Sequence, residues 1–463
     1  MPAAPNSTSS PLAALTEFTW SPQPATAQLI QRLLNECLSR CSFAAELSQR
    51  MLSETGTRLV DWLDHFGLPN NDPVVRELSD VGYVRADRPS GTVVWEHHQG
   101  LFPRVRLHHG VSRQLAIKVE SVVDFLGAHG LTGVVIEGPP LASLREATVA
   151  RENDIEVIVV ERHGSTEFDA NPAEDVPLAA ILRHSEALRL RQRDYASDDD
   201  GFIHAIQLIE PAIADLGRDR ACDLFFAAER EYWLRRNKAG RIQKARQDAL
   251  GLGWANHDHH TYRSSRQNFS LLIAFLERLG FKCRERFYAG REAGWGAQVI
   301  EHPATGVTIF ADVDMSPEEV SLDFSHTSLP PRDRLGTVGL WCALHGEAFL
   351  QAGMHHLECQ FDFAATRDQL KEAGIETMRP FTDLPYLRQA FTKGEQWMVD
   401  PARIERIRSA GLITDAQAEQ FLSKGALGSH LEILQREEGY KGFNQHGINE
   451  IISATDPRSA NKV

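Results

Sequence analysis

Cysteine is scarce and shows no pairing pattern. The six thiols, Cys37, Cys41, Cys222, Cys283, Cys342 and Cys359, form no CxxC pair and no even framework, which excludes a disulfide scaffold or zinc knuckle and points to a reducing compartment, the cytoplasm. Long apolar runs are missing as well. No stretch approaches the roughly 18 uncharged apolar residues of a membrane span, and the opening MPAAPNSTSSPLAAL has neither a positive n-region nor an apolar core, so neither secretion nor membrane insertion is expected. Positive charge is in deficit: 49 Lys plus Arg stand against 63 Asp plus Glu, a formal charge of −14, which argues against nucleic acid and anionic membranes as partners. There is no GxGxxG or GxxxxGK[ST] segment, hence no fingerprint for a nicotinamide or a nucleotide triphosphate. Glycine and proline are too few for a fibrous chain. What remains is a globular protein of 463 residues, long enough for two or three domains at about 150 residues each, with room for a homo-oligomer.

Histidine is abundant and clustered. Nineteen are present, with His257, His259 and His260 in NHDHH, His355 and His356 in MHH, and His108 and His109 in LHH. Such clusters suit a metal centre, and they equally suit strand ends at a surface. Residues 1–25, rich in Ser, Pro, Ala and Thr, predict a flexible arm. Residues 26–250 predict an N-terminal domain that is mostly helical: apolar residues recur at helical spacing from Thr26 to Phe66, and one long helical pattern runs from Ile203 to Leu250. Between them, β-like runs at 92–98, 104–109, 114–119, 133–138 and 155–162 predict an α+β module. The basic stretch from Arg230 to Arg246 reads as a solvated linker helix. Residues 251–463 repeat one pattern twice. DHHTYRS leads into the helical NFSLLIAFLERLGF and three strands; MHHLECQFDF leads into the helical AATRDQLKEAG and later SHLEILQRE. The fold class is therefore α+β, with tandem βαβββ modules in the C-terminal half, each opened by a histidine-rich strand.

A facial set of two histidines and one carboxylate holds a divalent ion and leaves positions open for substrate and O2. His259, His356 and Glu432 supply it most economically. Strand period two puts His259, Thr261 and Arg263 on one face and His260 and Tyr262 on the other, so His260 is the substitute for His259, and His355 for His356. His356, Glu358 and Gln360 share a face by the same rule. Glu432 stands between Leu431 and Ile433 in an apolar strand, where a bare carboxylate is costly unless paired or metal-bound.

At these residues the chain resembles the vicinal oxygen chelate superfamily. GMHHLECQFDFAATRDQLKEAGI and SHLEILQREEGYKGF resemble the second-histidine strand and the glutamate strand of 4-hydroxyphenylpyruvate dioxygenases, and DHHTYR resembles the His-x-x-x-Arg strand of the 2-oxoadipate dioxygenase family. The likeness covers roughly residues 254–452, and 114–162 is similar to a degenerate, metal-free module. The intervals from His259 to His356 and from His356 to Glu432 each span about one module. The tail departs from the family pattern: Asn444, Gln445 and His446 follow Gly442 and Phe443.

The resemblance implies Fe(II) bound by His259, His356 and Glu432, in a dioxygenase acting on a small 2-oxo acid with O2, without added 2-oxoglutarate. Strand period places Arg263 on the face of His259, to pair a substrate carboxylate or to serve as a structural arginine, and Gln360 on the face of His356; with Phe443, an aromatic wall or a core residue, they are the candidate catalytic residues. A metallo-β-lactamase-type hydrolase would need HxHxDH, which NHDHH does not match. A metal-dependent isomerase, lyase or extradiol dioxygenase on the same fold, and a non-catalytic small-molecule binding protein, remain open because ligands alone do not fix the metal or the reaction.

Overall fold

The computed structural model describes residues 20–88, 90–382, 384–444 and 455–459. Most of the expected N-terminal arm, residues 1–19, lies outside the described residues, as do Gln445 and His446. Trp20 and Gln23 are tied down, donating to Glu285 and to the Glu438 carbonyl.

The C-terminal sheet contains β8 (His257–Arg263), β9 (Lys282–Tyr288), β10 (Trp295–Glu301), β11 (Thr308–Asp314), β12 (His356–Gln360), β13 (Leu387–Phe391), β14 (Glu395–Trp397) and β15 (Ala426–Arg436). Its order is β13-β15-β12-β8-β11-β10-β9, with β14 also on β15. β8 runs parallel to β11, β12 parallel to β15, and β8 meets β12 antiparallel in the middle. Each half is one βαβββ module, with helices Phe269–Arg278 and Phe363–Glu372 as its α elements. The second module is looser: the strand after its helix is reduced to residues 376–381, bonded to 389–393 through one bridge and three amides, and two helices, Pro401–Ser409 and Asp415–Lys424, interrupt the module before β15.

Alternation decides the two faces of this sheet. Tyr262, Leu357, Cys359, Leu431 and Ile433 join a core built with Phe225, Phe226, Phe275 and Phe349, so His259, Glu358 and Glu432, one residue out of phase, face the opposite side.

A second sheet occupies residues 63–162 and extends the mostly helical expectation for this half. β1 (Leu63–Pro69), β2 (Val84–Asp87), β3 (Val93–Glu96), β4 (Arg104–His108), β5 (Arg113–Lys118), β6 (Leu144–Glu152) and β7 (Ile155–Arg162) pair in the order β2-β3-β4-β1-β5-β7-β6. β1 is parallel to β4, β5 parallel to β7, and β1 antiparallel to β5, which is the pairing of the C-terminal sheet. Two modules are present where one degenerate module was expected. A 3-10 turn, Pro73–Arg76, replaces the helix of the first, and residues 133–138 contribute one bridge, Glu137 to Glu146, in place of a strand. Helix Pro24–Arg40 covers one face through Leu29, Leu33, Leu34 and Cys37.

The helical pattern expected from Ile203 to Leu250 is three helices, Asp198–Leu216, Arg218–Arg235 and Lys238–Ala249. Gly217, at φ 79, breaks the first junction, and Asn237 caps the third helix through Gly240 N–H. The basic residues are engaged structurally: Arg236 stacks on Trp397 at 3.6 Å and donates to the carbonyls of Gln351 and Ala352, and Arg246 donates to the Glu54 carbonyl.

Candidate metal centre

Register assembles the site. His259 on β8 stands opposite Glu358 on β12, which stands opposite Glu432 on β15. One ligand atom from each lies within 4.8 Å of the others. His356, two residues before Glu358 and therefore on the same face, brings Nε2 to 2.6 Å from Glu358 Oε1 and 4.0 Å from Glu432 Oε2. His259 Nε2 lies 3.2 Å from the same Glu358 oxygen. The four side chains line or adjoin a cavity of about 80 Å³ walled by Phe287, Trp295, Phe310, Phe381, Phe391 and Phe443.

The protonation logic of this cluster calls for a cation. His259 Nδ1 is 2.8 Å from Asp258 Oδ1, and Asp258 takes two hydrogen bonds from Arg436, at 2.8 and 3.0 Å. Arg436 and His259 together hold Asp258 far below the ordinary carboxylate range, so it accepts and His259 donates from Nδ1. The Nε2 lone pair of His259 then points at a carboxylate oxygen. Burial, and for Glu358 the neighbouring Glu432 charge, raises the pKa of both glutamates, while burial lowers His259 and His356. Lone pairs converge on a dry spot with no positive group among them, the arrangement that a proton or a metal ion resolves.

Partners orient the donors. Thr261 Oγ1 donates to Glu358 Oε1 at 2.9 Å, and Gln389 Nε2 donates to Glu432 Oε1 at 2.8 Å. Glu358 Oε2 and His356 Nδ1 are buried without a hydrogen-bond partner. Phe443 sits edge-on to the His259 ring at 5.1 Å, and Phe391 packs on His356 at 5.0 Å.

His259, His356 and Glu432 are thus brought together, with Arg263 and Phe443 on the same cavity. Arg263 is buried, 3.9 Å from Asp312 and above the Trp341 ring, with Nε and Nη1 unbonded. Burial pushes Asp312 up to about 8 in spite of Arg263. Gln360 is not on this cavity. β12 stays in regular register with β15 through Gln360, which keeps the face of Glu358 but lies past the cavity and donates at 3.0 Å to Oδ2 of Asp258, the extra residue of a bulge on β8, supporting the group that orients His259. His260 faces the core, edge-on to Phe226, and His355 reaches the cavity wall while its Nδ1 meets the Gly428 carbonyl. His108 and His109 lie at a strand end in the other sheet. Glu358 was given no role by the sequence, although the signal that singles out Glu432, a carboxylate within an apolar strand, is present in LEC as well.

No family model and no curated protein matches the chain. Among solved structures, a mutant of 4-hydroxymandelate synthase from Streptomyces coelicolor is similar at 13% identity and TM-score 0.29, over 87% of this chain and 98% of that one. Methylmalonyl-CoA epimerase from Mycobacterium tuberculosis matches at 12% and 0.23, over 39% and 88%. An uncharacterized Shigella flexneri protein that includes a DUF1338 domain matches at 13% and 0.24, over 56% and 73%. With TM-scores this low, none of the three bears on the chemistry of this chain. No described helix is long and apolar enough to cross a membrane.

Proposed function

We propose that the protein is a cytoplasmic enzyme of the vicinal oxygen chelate type, an Fe(II)-dependent dioxygenase acting on a small 2-oxo acid with O2. The observation that carries this reading is the buried cluster of His259, Glu358 and Glu432, with His356 Nε2 at 2.6 Å from Glu358 and 4.0 Å from Glu432, beside an aromatic cavity. The donor set fits a divalent transition metal: imidazole nitrogens and carboxylate oxygens with no thiolate. His259, His356 and Glu432 would hold the ion. The chemistry a ferrous ion supplies at such a centre is O2 activation coupled to decarboxylation of a chelated 2-oxo acid.

The chain's own residues do the rest. Asp258 fixes the His259 tautomer, so that Nε2 is free to ligate. Arg263 carries two unbonded donors inside the cavity and pairs the substrate's anionic end. Phe310, Phe391 and Phe443 keep bulk water from the reacting atoms. Glu358 stands between the ligands, its Oε1 oriented by Thr261 and its pKa raised by burial and by the neighbouring Glu432 charge.

Glu358 also supports a second reading. Were it a fourth protein ligand, a six-coordinate ion would keep two open positions, both taken by a chelating 2-oxo acid, with none left for O2; an isomerase or lyase would follow. The test is anaerobic metal analysis followed by an O2-uptake screen of 2-oxo acids and catechols. Iron-dependent O2 consumption on adding a 2-oxo acid, with CO2 released and no 2-oxoglutarate required, supports the dioxygenase. Metal-dependent turnover without O2 consumption supports the isomerase or lyase, and ligand binding without turnover reduces the protein to a binding module.

A further inference from the structure

The edge of the first C-terminal module carries a second group of ligating side chains, remote from the cavity. Glu277 comes from helix Phe269–Arg278, Cys283 from the edge strand β9, and His326 from the connection that follows β11. We propose that Glu277, Cys283 and His326 form a thiolate-containing site for a zinc-class divalent ion, independent of the buried centre.

Spacing is the first argument. One ligand atom of each residue lies within 4.8 Å of the others. His326 Nε2 is 3.1 Å from Glu277 Oε1, and Cys283 Sγ is 3.9 Å from that oxygen. Tetrahedral zinc, with ligands at about 2.0–2.3 Å, sets neighbouring ligands roughly 3.3–3.8 Å apart, so small side-chain movements suffice. The second argument is orientation. His326 Nδ1 lies 3.0 Å from both Asp323 carboxylate oxygens. That is the carboxylate–histidine pairing that leaves Nε2 as the ligating nitrogen.

Charge is the third argument. The group holds the Glu277 and Asp323 carboxylates, a cysteine whose thiolate would be negative, and one facing guanidinium, Arg286, at 3.5 Å from Asp323. Three negative groups and one positive leave a divalent ion to complete neutrality. Without a cation Cys283 faces the Glu277 carboxylate as a thiol donor, Sγ 3.9 Å from Oε1. On binding, the S–H proton leaves to solvent as the S–metal bond forms. A solvent water completes the fourth position, because His326 and Cys283 are exposed. The site would pin the connection after β11 onto the helix and strand beneath it. The competing account is a protonated His326 held between two carboxylates, with no metal.

Cobalt(II) discriminates, because only a thiolate ligand produces the near-ultraviolet sulfur-to-cobalt absorption and the buried centre has no thiolate. Titrating the chelator-stripped full chain should develop this band to one equivalent. Zinc should displace it, Cys283→Ser should abolish it, and His259→Ala should leave it intact. Asp323→Asn should weaken cobalt binding by roughly 10- to 100-fold. Absence of the band in the parent, or its persistence in Cys283→Ser with an unchanged circular dichroism spectrum, would overturn the proposal. Its loss in His259→Ala would assign the signal elsewhere and overturn the claim of independence.

Discussion

The two sheets share a pairing scheme and a buried Asp–His–Arg group, Asp258 with His259 and Arg436 in one and Asp64 with His65 and Arg162 in the other, and differ in whether two further carboxyls stand beside it. In the N-terminal sheet, Asp64 accepts from Arg162 through both oxygens and from His65, and is held well below its ordinary range. Glu161 takes Arg145 and His163 and is also lowered. In the C-terminal sheet Glu358 and Glu432 have no guanidinium bonded to them and are raised. The row that reads His259–Glu358–Glu432 in one sheet has its counterpart in His65–Ala116–Ile158 of the other. That face of the N-terminal sheet is covered by the chain's own Phe168, packed on His65 at 5.1 Å, while the C-terminal face keeps a cavity. The scaffold is thus indifferent to chemistry, and what separates the halves is where positive charge is withheld. At this row the N-terminal sheet carries apolar residues closed over by Phe168, and the C-terminal sheet keeps two buried carboxyls with no guanidinium bonded to them.

This contrast can be broken experimentally. The largest effect expected is at the ligands: His259→Ala and Glu432→Ala should remove bound metal and drop turnover to background, at least roughly 1,000-fold, because the several kcal/mol the ion contributes go with it. Full metal occupancy in either variant, measured by elemental analysis, would take that residue out of the centre. Asp64→Asn tests the other side. It strands Arg162 beside the fully buried position and should cost about 3–5 kcal/mol in urea unfolding without changing metal content; a neutral result would mean that the N-terminal ion pairs are not what stabilises that sheet.

Asp258→Asn should lower metal affinity by roughly 10- to 100-fold because it releases the His259 ring, and, since it also strands the buried Arg436, should cost about 3–5 kcal/mol in urea unfolding as Asp64→Asn does. Glu358→Gln examines the missing counter-charge directly. A carboxyl whose folded pKa is raised binds more protons folded than unfolded, so the metal-free protein loses stability as pH climbs above the unfolded value near 4.5. Metal-free Glu358→Gln should be the more stable protein at neutral pH by about 1–2 kcal/mol, with a flatter pH profile; equal stability would place a hidden cation in the apo site. The smallest effect is expected at His163, held between Glu161 and Asp223 with a pKa raised above 6.5. Its contribution is fully present below the unfolded pKa and disappears as pH rises through the folded one. His163→Gln should therefore destabilise by about 1 kcal/mol at acidic pH and by little at alkaline pH; the reverse trend would show that the ring is buried neutral.

Much of the C-terminal half is legible along the chain because its signals are local. DHHTYR alternates, and the residues predicted to share a face, His259, Thr261 and Arg263, do line the cavity while His260 and Tyr262 enter the core. The helix after each histidine strand is readable from its apolar period. The N-terminal sheet is far less so. LDHFGLP at β1 is buried at every position and has no alternation to display, and a four-residue 3-10 turn stands where a helix would have announced a module. Gln360 keeps the face that period two gives it but stands past the cavity, bonded to Asp258, the extra residue of a bulge on β8 that period two cannot show.

The sequence by itself determined the candidate ligands and their faces, because alternation in a strand and the cost of a bare carboxylate between Leu431 and Ile433 are properties of neighbouring residues. Only the tertiary structure decided that Glu358 stands between His259 and Glu432, that the N-terminal half repeats the same pairing, and that its matching face is closed by Phe168. Those facts depend on hydrogen-bond register between strands about 40 to 100 residues apart, where a slip of one residue turns every side chain to the other face, and no local pattern encodes that register.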